Sequence, residues 1–229
     1  MTIFNDFLSL IYPQICMACG NNLFKYEECI CTSCLFHLPK TNFHLEKDNP
    51  VSKLFWGKIK LESVAAYYYF NKGSKVQHLI HQLKYKGHKE IGVIIGKLYG
   101  MDLKTAQLFN DIDAIIPVPL HFKKLKRRGY NQSLLIAEGL SKAMQVDVNT
   151  NTLFRKVASE TQTKKSQFKR WENVKEIFDI SDKHSLENKK VLLVDDVITT
   201  GSTIEACANA LYKIPEIKIS VVALACTVY

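Results

Sequence analysis

One short segment restricts the fold of this chain more than any other. Residues 191–194 are Val, Leu, Leu and Val, and Asp195 and Asp196 follow them. A run of branched apolar residues is typical of a strand that helices cover on both faces, as in a parallel sheet. A loop rich in hydroxyl groups comes next, and then a helix pattern over residues 204–213. We therefore expect an α/β fold with both acids at the carboxyl end of a strand, where open sheets of this kind bind ligands.

The loop after the acids has the composition of a phosphate-binding site. Its residues are Thr199, Thr200, Gly201, Ser202 and Thr203. The hydroxyls donate hydrogen bonds, the glycine lets the backbone approach a ligand, and the following helix start adds free N–H groups. Carboxylates repel phosphate, so Asp195 and Asp196 suit a vicinal diol, or a Mg²⁺ that bridges them to phosphate oxygens. A phosphate beside a diol indicates a ribose 5-phosphate.

Three other patterns share parts of this segment. A P-loop NTPase also has an apolar strand that ends in acids, but the chain lacks G-x-x-x-x-G-K-[ST], since Val93 and Ile94 follow the correctly spaced Gly87 and Gly92. A receiver domain has paired acids early in its chain and no such loop. A plain strand and helix, capped by one hydroxyl of the loop (Ser202 or Thr203), does not require four hydroxyls beside two acids.

The segment resembles the signature of the type I phosphoribosyltransferases, which bind phosphoribosyl pyrophosphate (PRPP). The resemblance implies that Asp195 and Asp196 contact the ribose hydroxyls at the catalytic centre. It also implies that residues 199–203 wrap the 5-phosphate and that Mg²⁺ accompanies the donor.

Four cysteines near the amino terminus have the spacing of a metal site. They form two Cys-x-x-Cys pairs, Cys16 with Cys19 and Cys31 with Cys34. Two such turns supply the four thiolates of a tetrahedral structural zinc site, although four sulfurs also hold iron–sulfur clusters. Disulfides are the third use of paired cysteines, and the missing signal-peptide pattern speaks against them. Cys29 is a fifth thiol, but only Cys31 and Cys34 give a two-residue spacer, so we expect these four to bind zinc.

Two basic segments supply candidate cations for a pyrophosphate. Five of the six residues 123–128 are Lys or Arg, shortly after a predicted strand at residues 113–118. We expect Arg127 and Arg128 to clamp the pyrophosphate, because Arg makes bidentate contacts with oxygen anions. The second segment, residues 161–173, is a predicted mobile loop whose Lys164 would close over the same polyanion. A solvated basic surface explains each segment equally well, and a nuclear-type or nucleic-acid-binding patch is a further alternative for the first.

Composition and length set the remaining limits. The 229 residues, 47% of them hydrophobic, suit one ordinary domain with a small appendage, and the net charge of +9 favours anionic partners such as nucleotides, pyrophosphate or nucleic acid. No apolar run reaches the length of a membrane span, and the apolar amino terminus lacks the features of a signal peptide, so we expect a cytoplasmic protein. The predicted units are an apolar leader helix with the cysteine module (residues 1–40), a connector (41–59) and a phosphoribosyltransferase-like domain (60–229).

Segments along nearly the whole chain resemble the ComF-type proteins, phosphoribosyltransferase-like proteins of bacterial natural competence. The segments are the leader, the two cysteine pairs, residues 83–87, 116–121, 128–133 and 161–163, Arg170 with Asn173, and residues 191–203. The resemblance implies a type I phosphoribosyltransferase fold, with a parallel sheet flanked by helices and a small Cys₄ zinc module. It also implies an association with DNA uptake.

The resemblance leaves two functions open. The first is an enzyme that transfers the phosphoribosyl group of PRPP to a nitrogen acceptor and releases pyrophosphate. The second is a non-catalytic adaptor that binds PRPP or a nucleotide and contacts single-stranded DNA or competence proteins. Tyr130 and Trp171 follow arginines and are candidate stacking surfaces for bases.

Overall fold

The computed structural model describes residues 13–156 and 177–227. The leader helix, Lys164, Trp171 and the rest of the predicted loop over residues 161–173 lie outside the described residues. The helices are α1 (Thr32–His37), α2 (Pro50–Lys53), α3 (Lys75–Tyr85), α4 (Glu90–Thr105), α5 (Phe122–Arg128), α6 (Gln132–Met144) and α7 (Ser202–Leu211). The strands are β1 (Val64–Tyr69), β2 (Ala114–Pro117), β3 (Leu153–Arg155), β4 (Phe178–Ile180), β5 (Lys190–Ile198) and β6 (Lys218–Cys226).

The core of the fold is a four-stranded sheet in the order β1-β6-β5-β2, in which every neighbouring pair is parallel. Parallel strands need crossover connections, and the helices between them supply these. Val191, Leu192, Leu193 and Val194 of β5 have no exposed surface, as a strand covered on both faces requires. The predicted α/β fold is therefore confirmed. Strands β3 and β4 form a separate antiparallel pair.

The central strand is longer than the sequence pattern predicts. We expected its end at residue 194, with the acids just beyond, but β5 continues through both acids to Ile198. The reason is that β6 reaches Cys226 and pairs with β5 as far as Ile198, whereas β2 ends at Pro117, opposite Val194. The acids therefore lie in the part of β5 that extends beyond β2.

Helices α4 and α6 cross closely enough to fix the start of α6 relative to the sheet. Each helix has a glycine at the crossing, and a Cβ on Gly96 would clash with the carbonyl of Ile136, while one on Gly139 would clash with that of Val93. Side chains larger than hydrogen would separate the two helices. This contact positions Ser133, in the first turn of α6, near the acids.

The residues between the cysteine module and β1 pack against the sheet. Lys40 pairs with Tyr68 of β1 in an antiparallel bridge, and the Asn49 side chain donates to the Val64 carbonyl at 2.7 Å. Further on, the buried ring of Phe55 lies against Gly201 in the loop after β5. The cysteine module is thus joined to the sheet through a packed segment.

None of the helices within residues 13–156 and 177–227 combines the length and the apolar character that a membrane span requires.

Candidate functional site

Asp195 is held in place by neutral donors. Its Oδ1 accepts a hydrogen bond from the Ser133 hydroxyl at 3.1 Å and another from the Asp196 N–H at 2.8 Å. Burial and the nearby charge of Asp196 raise the pKa of Asp195 to about 7, because both disfavour a second negative charge. Ser133 was not predicted from the sequence, since a serine in a helix pattern carries no distinguishing signal.

Asp196 has a cationic partner that the sequence analysis also missed. Successive strand residues point to opposite faces of a sheet, and Asp196 pairs with Lys84 of α3, with Nζ 2.9 Å from Oδ1. Both side chains are largely buried, with 20% of Lys84 and 15% of Asp196 exposed. Lys84 lies within residues 83–87, one of the segments in the ComF resemblance, but spacing alone gives no link to an acid far away in the chain.

The loop that follows β5 forms a small cavity of about 30 Å³, which we call the hydroxyl cradle (residues 199–203). Asp195 also lines this cavity. Gly201 has φ +78°, a left-handed conformation that favours glycine. The hydroxyls of Thr200 and Ser202 form a hydrogen bond with each other at 3.0 Å, which holds both side chains at the same point of the loop.

Helix α7 starts directly at the hydroxyl cradle. Its N-cap is Gly201, which has no side chain to bond the first N–H groups. Neither Ser202 nor Thr203 is therefore the N-cap of α7, as one alternative for this loop required. The N–H groups at the start of α7 and the surrounding hydroxyls together suit an anion.

A second, larger cavity of about 300 Å³, which we call the cation cavity, is connected to the acid pair through Lys84, the partner of Asp196. It is lined by Lys84, Tyr85, Gly87, Arg127, Arg128 and Tyr130. Three of these six residues are cations and none is an acid. The two arginines predicted as a pyrophosphate clamp are thus brought together with Lys84.

The wall of the cation cavity is fixed by contacts between α3 and the end of α5. The guanidinium of Arg128 lies over the Tyr85 ring, 5.1 Å from its centroid, and donates to Gln132 at 2.6 Å. The Tyr130 hydroxyl donates to the Leu83 carbonyl at 2.6 Å. Arg128 Nε is buried and has no hydrogen-bond partner among the described residues. Tyr130 was a candidate stacking surface for bases, and its hydroxyl here tethers the end of α3.

Two further cationic or titratable side chains, at the start of α5 and on β3, were not predicted as site residues. His121 begins α5 by accepting a hydrogen bond from the Lys123 N–H at 3.2 Å. Partial burial lowers the pKa of His121, and the charge of Arg155 lowers it further. Arg155 on β3 stacks over the Phe178 ring at 5.3 Å and has no salt-bridge partner among the described residues. A lone arginine in a three-residue strand has no recognisable pattern.

The four predicted cysteine ligands come together. The sulfur atoms of Cys16, Cys19, Cys31 and Cys34 all lie within 4.8 Å of one another. Gly20, with φ +80°, follows the first pair and donates its N–H to the Cys16 carbonyl at 2.8 Å, which closes the tight turn. Four converging thiols are compatible with a structural metal such as zinc.

The backbone around Cys16 favours thiolate sulfur. Burial raises the pKa of Cys16, but N–H groups, including those of Cys31 and Ala18, donate to its sulfur and bring the pKa down to about 7. Burial raises the pKa of Cys29 to about 12, and this thiol lies outside the four-sulfur group. The choice of Cys31 and Cys34 as the second pair therefore agrees with the geometry.

Comparison with known proteins agrees with this description. A family model for the phosphoribosyl transferase domain matches residues 106–229. The chain belongs to this family. It is 30% identical to the DNA utilization protein YhgH of Shigella flexneri, over 90% of this chain and 87% of that protein. It is 33% identical to competence protein F of Haemophilus influenzae, over 64% of this chain and 66% of that protein.

These relatives confirm the resemblance to ComF-type proteins, and the family match with the parallel sheet confirms the phosphoribosyltransferase fold. Among solved structures, the fold is similar to glutamine PRPP amidotransferase from B. subtilis. That similarity has a TM-score of 0.41 and 16% identity, and it covers 62% of this chain and 30% of the other.

Proposed function

We propose that this protein binds PRPP together with Mg²⁺ at the acid pair, as a phosphoribosyltransferase-domain protein of natural competence and DNA uptake. One arrangement supports the proposal: the acid pair is connected to two cavities suited to anions. Asp195 lines the hydroxyl cradle, and Asp196 pairs with Lys84, which lines the cation cavity. PRPP has the same order of groups, with a 5-phosphate, a ribose diol and a pyrophosphate.

In this proposal each group of the donor has its own partners. Residues 199–203 and the start of α7 bind the 5-phosphate through hydroxyl and N–H donors. The carboxylates of Asp195 and Asp196 accept hydrogen bonds from the ribose hydroxyls. Arg127 and Arg128 contact the pyrophosphate, where the planar guanidinium suits bidentate contacts.

The donor set at the acid pair fits Mg²⁺. This ion prefers oxygen ligands and is usually held by one or two carboxylates together with substrate phosphates. Burial, and then the charge of Asp196, raise the pKa of Asp195 to about 7, and a cation held there would favour the charged carboxylate. Bound Mg²⁺ would neutralise charge that develops on the pyrophosphate oxygens.

The proposal extends to transfer of the phosphoribosyl group to a nitrogen acceptor, with release of pyrophosphate. As the bond from the ribose to the pyrophosphate breaks, negative charge grows on the leaving group and positive charge on the ribose. Arg127 and Arg128 would stabilise the first, and the acid pair would stabilise the second. Lys164, which lies outside the described residues, is the proposed closing cation of the same step.

Calorimetry tests the donor site. We expect wild-type protein to bind PRPP with Mg²⁺, and we expect Asp195→Ala/Asp196→Ala to lose that binding while it still folds. Asp111→Ala/Asp113→Ala, which removes two acids from the opposite end of the sheet, is the matched control. Absence of PRPP binding to the wild type overturns the proposal, and release of pyrophosphate with a nitrogenous base establishes the transferase reading.

The adaptor reading is supported by a different surface. Phe24, Tyr26 and Phe36 of the cysteine module are 80%, 94% and 84% exposed, and exposed aromatic side chains near cations stack on bases of single-stranded DNA. In this reading PRPP binding regulates the contact and no acceptor reacts. Oligonucleotide binding that weakens steeply with added salt, together with PRPP binding without turnover, would favour it.

The proposal has three further parts: zinc at the cysteine cluster, unit boundaries at residues 40 and 59, and a cytoplasmic location. We expect one zinc per chain in freshly purified protein and a loss of that zinc in Cys16→Ser or Cys34→Ser. The control is Cys29→Ser, which should keep the metal because Cys29 lies outside the four-sulfur group. If the metal analysis finds iron and inorganic sulfide instead of zinc, the four cysteines hold an iron–sulfur cluster.

A further inference from the structure

We propose that Lys84 is a donor-binding residue that changes partners, leaving Asp196 for the pyrophosphate when the ribose diol occupies Asp196. The inference rests on the proposed PRPP site and adds a residue to it. Lys84 is the side chain that touches both parts of the site, since its Nζ lies 2.9 Å from Asp196 and its side chain lines the cation cavity.

The surroundings of Lys84 allow the side chain to move while the backbone stays in place. Tyr130 binds the Leu83 carbonyl, and Tyr85 stacks under Arg128, so the residues on both sides of Lys84 are tied to the wall of the cavity. Lysine carries a compact charge on a flexible stem with four carbons. Rotation of that stem is therefore sufficient to move the charge from one partner to the other.

The balance of charge favours the exchange. Without ligand, no acid lines the cation cavity among the described residues, and Lys84 is paired with Asp196. When two ribose hydroxyls donate to the acid pair, they compete with Lys84 for the same carboxylate oxygen. A pyrophosphate in the cavity then offers Lys84 a more highly charged partner, and leaving either ion unpaired in this largely buried site would be costly. Lys84 and Asp196 thus each have a partner both before and after binding.

The exchange separates two ligands that differ only in the pyrophosphate. Ribose 5-phosphate must displace Lys84 from Asp196 and gives it no new partner. PRPP also displaces Lys84, but its pyrophosphate provides the new partner. We therefore expect Lys84→Met to weaken PRPP binding about 10- to 100-fold, the range for loss of one charge-assisted hydrogen bond. The same substitution should leave ribose 5-phosphate binding unchanged or make it tighter.

Calorimetry with both ligands tests the inference, with melting curves to check folding. Lys84→Gln is the second variant, because its amide can still donate to Asp196 if Lys84→Met proves unstable. Lys86→Met is the matched control, since Lys86 is exposed in the same segment and does not line the cavity. Selective loss of PRPP binding in either Lys84 variant supports the exchange.

Two results overturn it, and they are distinguishable. If the Lys84 variants weaken the binding of PRPP and of ribose 5-phosphate equally, Lys84 is a fixed structural partner of Asp196. The proposed donor site would still stand. If the wild type binds neither ligand, the proposed function itself fails, and the role of Lys84 falls with it.

Discussion

The hydroxyl cradle and the cation cavity are built in opposite ways. The cradle comes from five consecutive residues and uses short side chains, backbone N–H groups and a left-handed glycine. The cation cavity brings residues 84–87 together with residues 127–130 and uses long charged side chains. A site of short groups is rigid and tolerates little change, whereas a site of long cations adjusts to its ligand. The two halves of the donor site should therefore respond differently to substitution.

The largest effect is expected in the hydroxyl cradle. A Cβ at Gly201 would lie 2.7 Å from the ring of Phe55, and the φ of +78° is unfavourable for other residues. We expect Gly201→Ala to reduce ribose 5-phosphate binding more than about 100-fold and to lower the free energy of unfolding by roughly 2–4 kcal/mol, from strain and overpacking together. Calorimetry and urea unfolding measure the two effects.

Gly73→Ala is the control for this substitution. Gly73 has the same φ of +78°, but a Cβ there would meet nothing within 4 Å. Gly73→Ala should lower the free energy of unfolding by about 1 kcal/mol, from conformational strain only, and should not change ligand binding. If Gly201→Ala and Gly73→Ala change ligand binding equally, the contact of Phe55 with Gly201 does not determine the shape of the hydroxyl cradle.

A smaller effect is expected in the cation cavity. Arg127→Gln/Arg128→Gln should weaken inorganic pyrophosphate binding by about 10- to 100-fold, because each glutamine amide keeps a neutral hydrogen bond in place of a charge-assisted one and Lys84 remains. Ribose 5-phosphate binding should not change, since it depends on the other cavity. Lys126→Gln, on the same helix but outside the cavity lining, controls for the loss of general positive charge. If the Arg127/Arg128 variant loses the binding of ribose 5-phosphate as well as of pyrophosphate, the two cavities do not bind their ligands independently.

The acid pair, which is connected to both halves, should give a pH-dependent effect. The pKa of Asp195 is about 7 in the folded protein, against an ordinary value of 3.8, so the folded protein keeps a proton between about pH 4 and 7 that the unfolded chain releases. This proton stabilises the fold at low pH, and the stabilisation is lost as the pH rises towards 7. Asp195→Asn should therefore melt several degrees above the wild type at pH 8, and the difference should shrink at pH 5. Asp111→Asn, an exposed acid, should show no such trend.

The smallest effect is expected for the hydroxyl that tethers the end of α3. Tyr130→Phe removes one hydrogen bond to the Leu83 carbonyl, which should lower the free energy of unfolding by about 1 kcal/mol. Because Lys84 then lies on a looser helix end, pyrophosphate binding should fall only a few-fold. Urea unfolding and calorimetry provide the measurements, and Tyr26→Phe, whose residue is 94% exposed, is the control. A large loss of binding would mean that the Tyr130 hydroxyl contacts the ligand directly.

The comparison also explains which parts of the site were accessible from the sequence. The cradle, the acids and the cysteine pairs each lie within a short stretch, so residue type and spacing were sufficient to predict them. The cation cavity depends on contacts between distant segments, and only its arginines were predicted. Lys84 and Ser133 were missed because nothing local marks a lysine or a serine as the partner of an acid more than 60 residues later.

The fold itself was predicted better than its details. The four apolar residues of β5 and the alternation of strands with helices were sufficient for the parallel sheet. The end of β5 was wrong by four residues, because strand length was set by pairing with β6. Local patterns carry no information about how far a neighbouring strand extends.

The position of Phe55 has a practical consequence for work with fragments. The family match begins at residue 106, whereas β1 and Phe55 come earlier in the chain. A fragment cut at residue 106 would lose β1, leave the hydrogen-bonding groups of β6 open to pairing with other chains, and remove the ring that supports Gly201. We expect such a fragment to aggregate, so the smallest useful fragment must begin before Phe55.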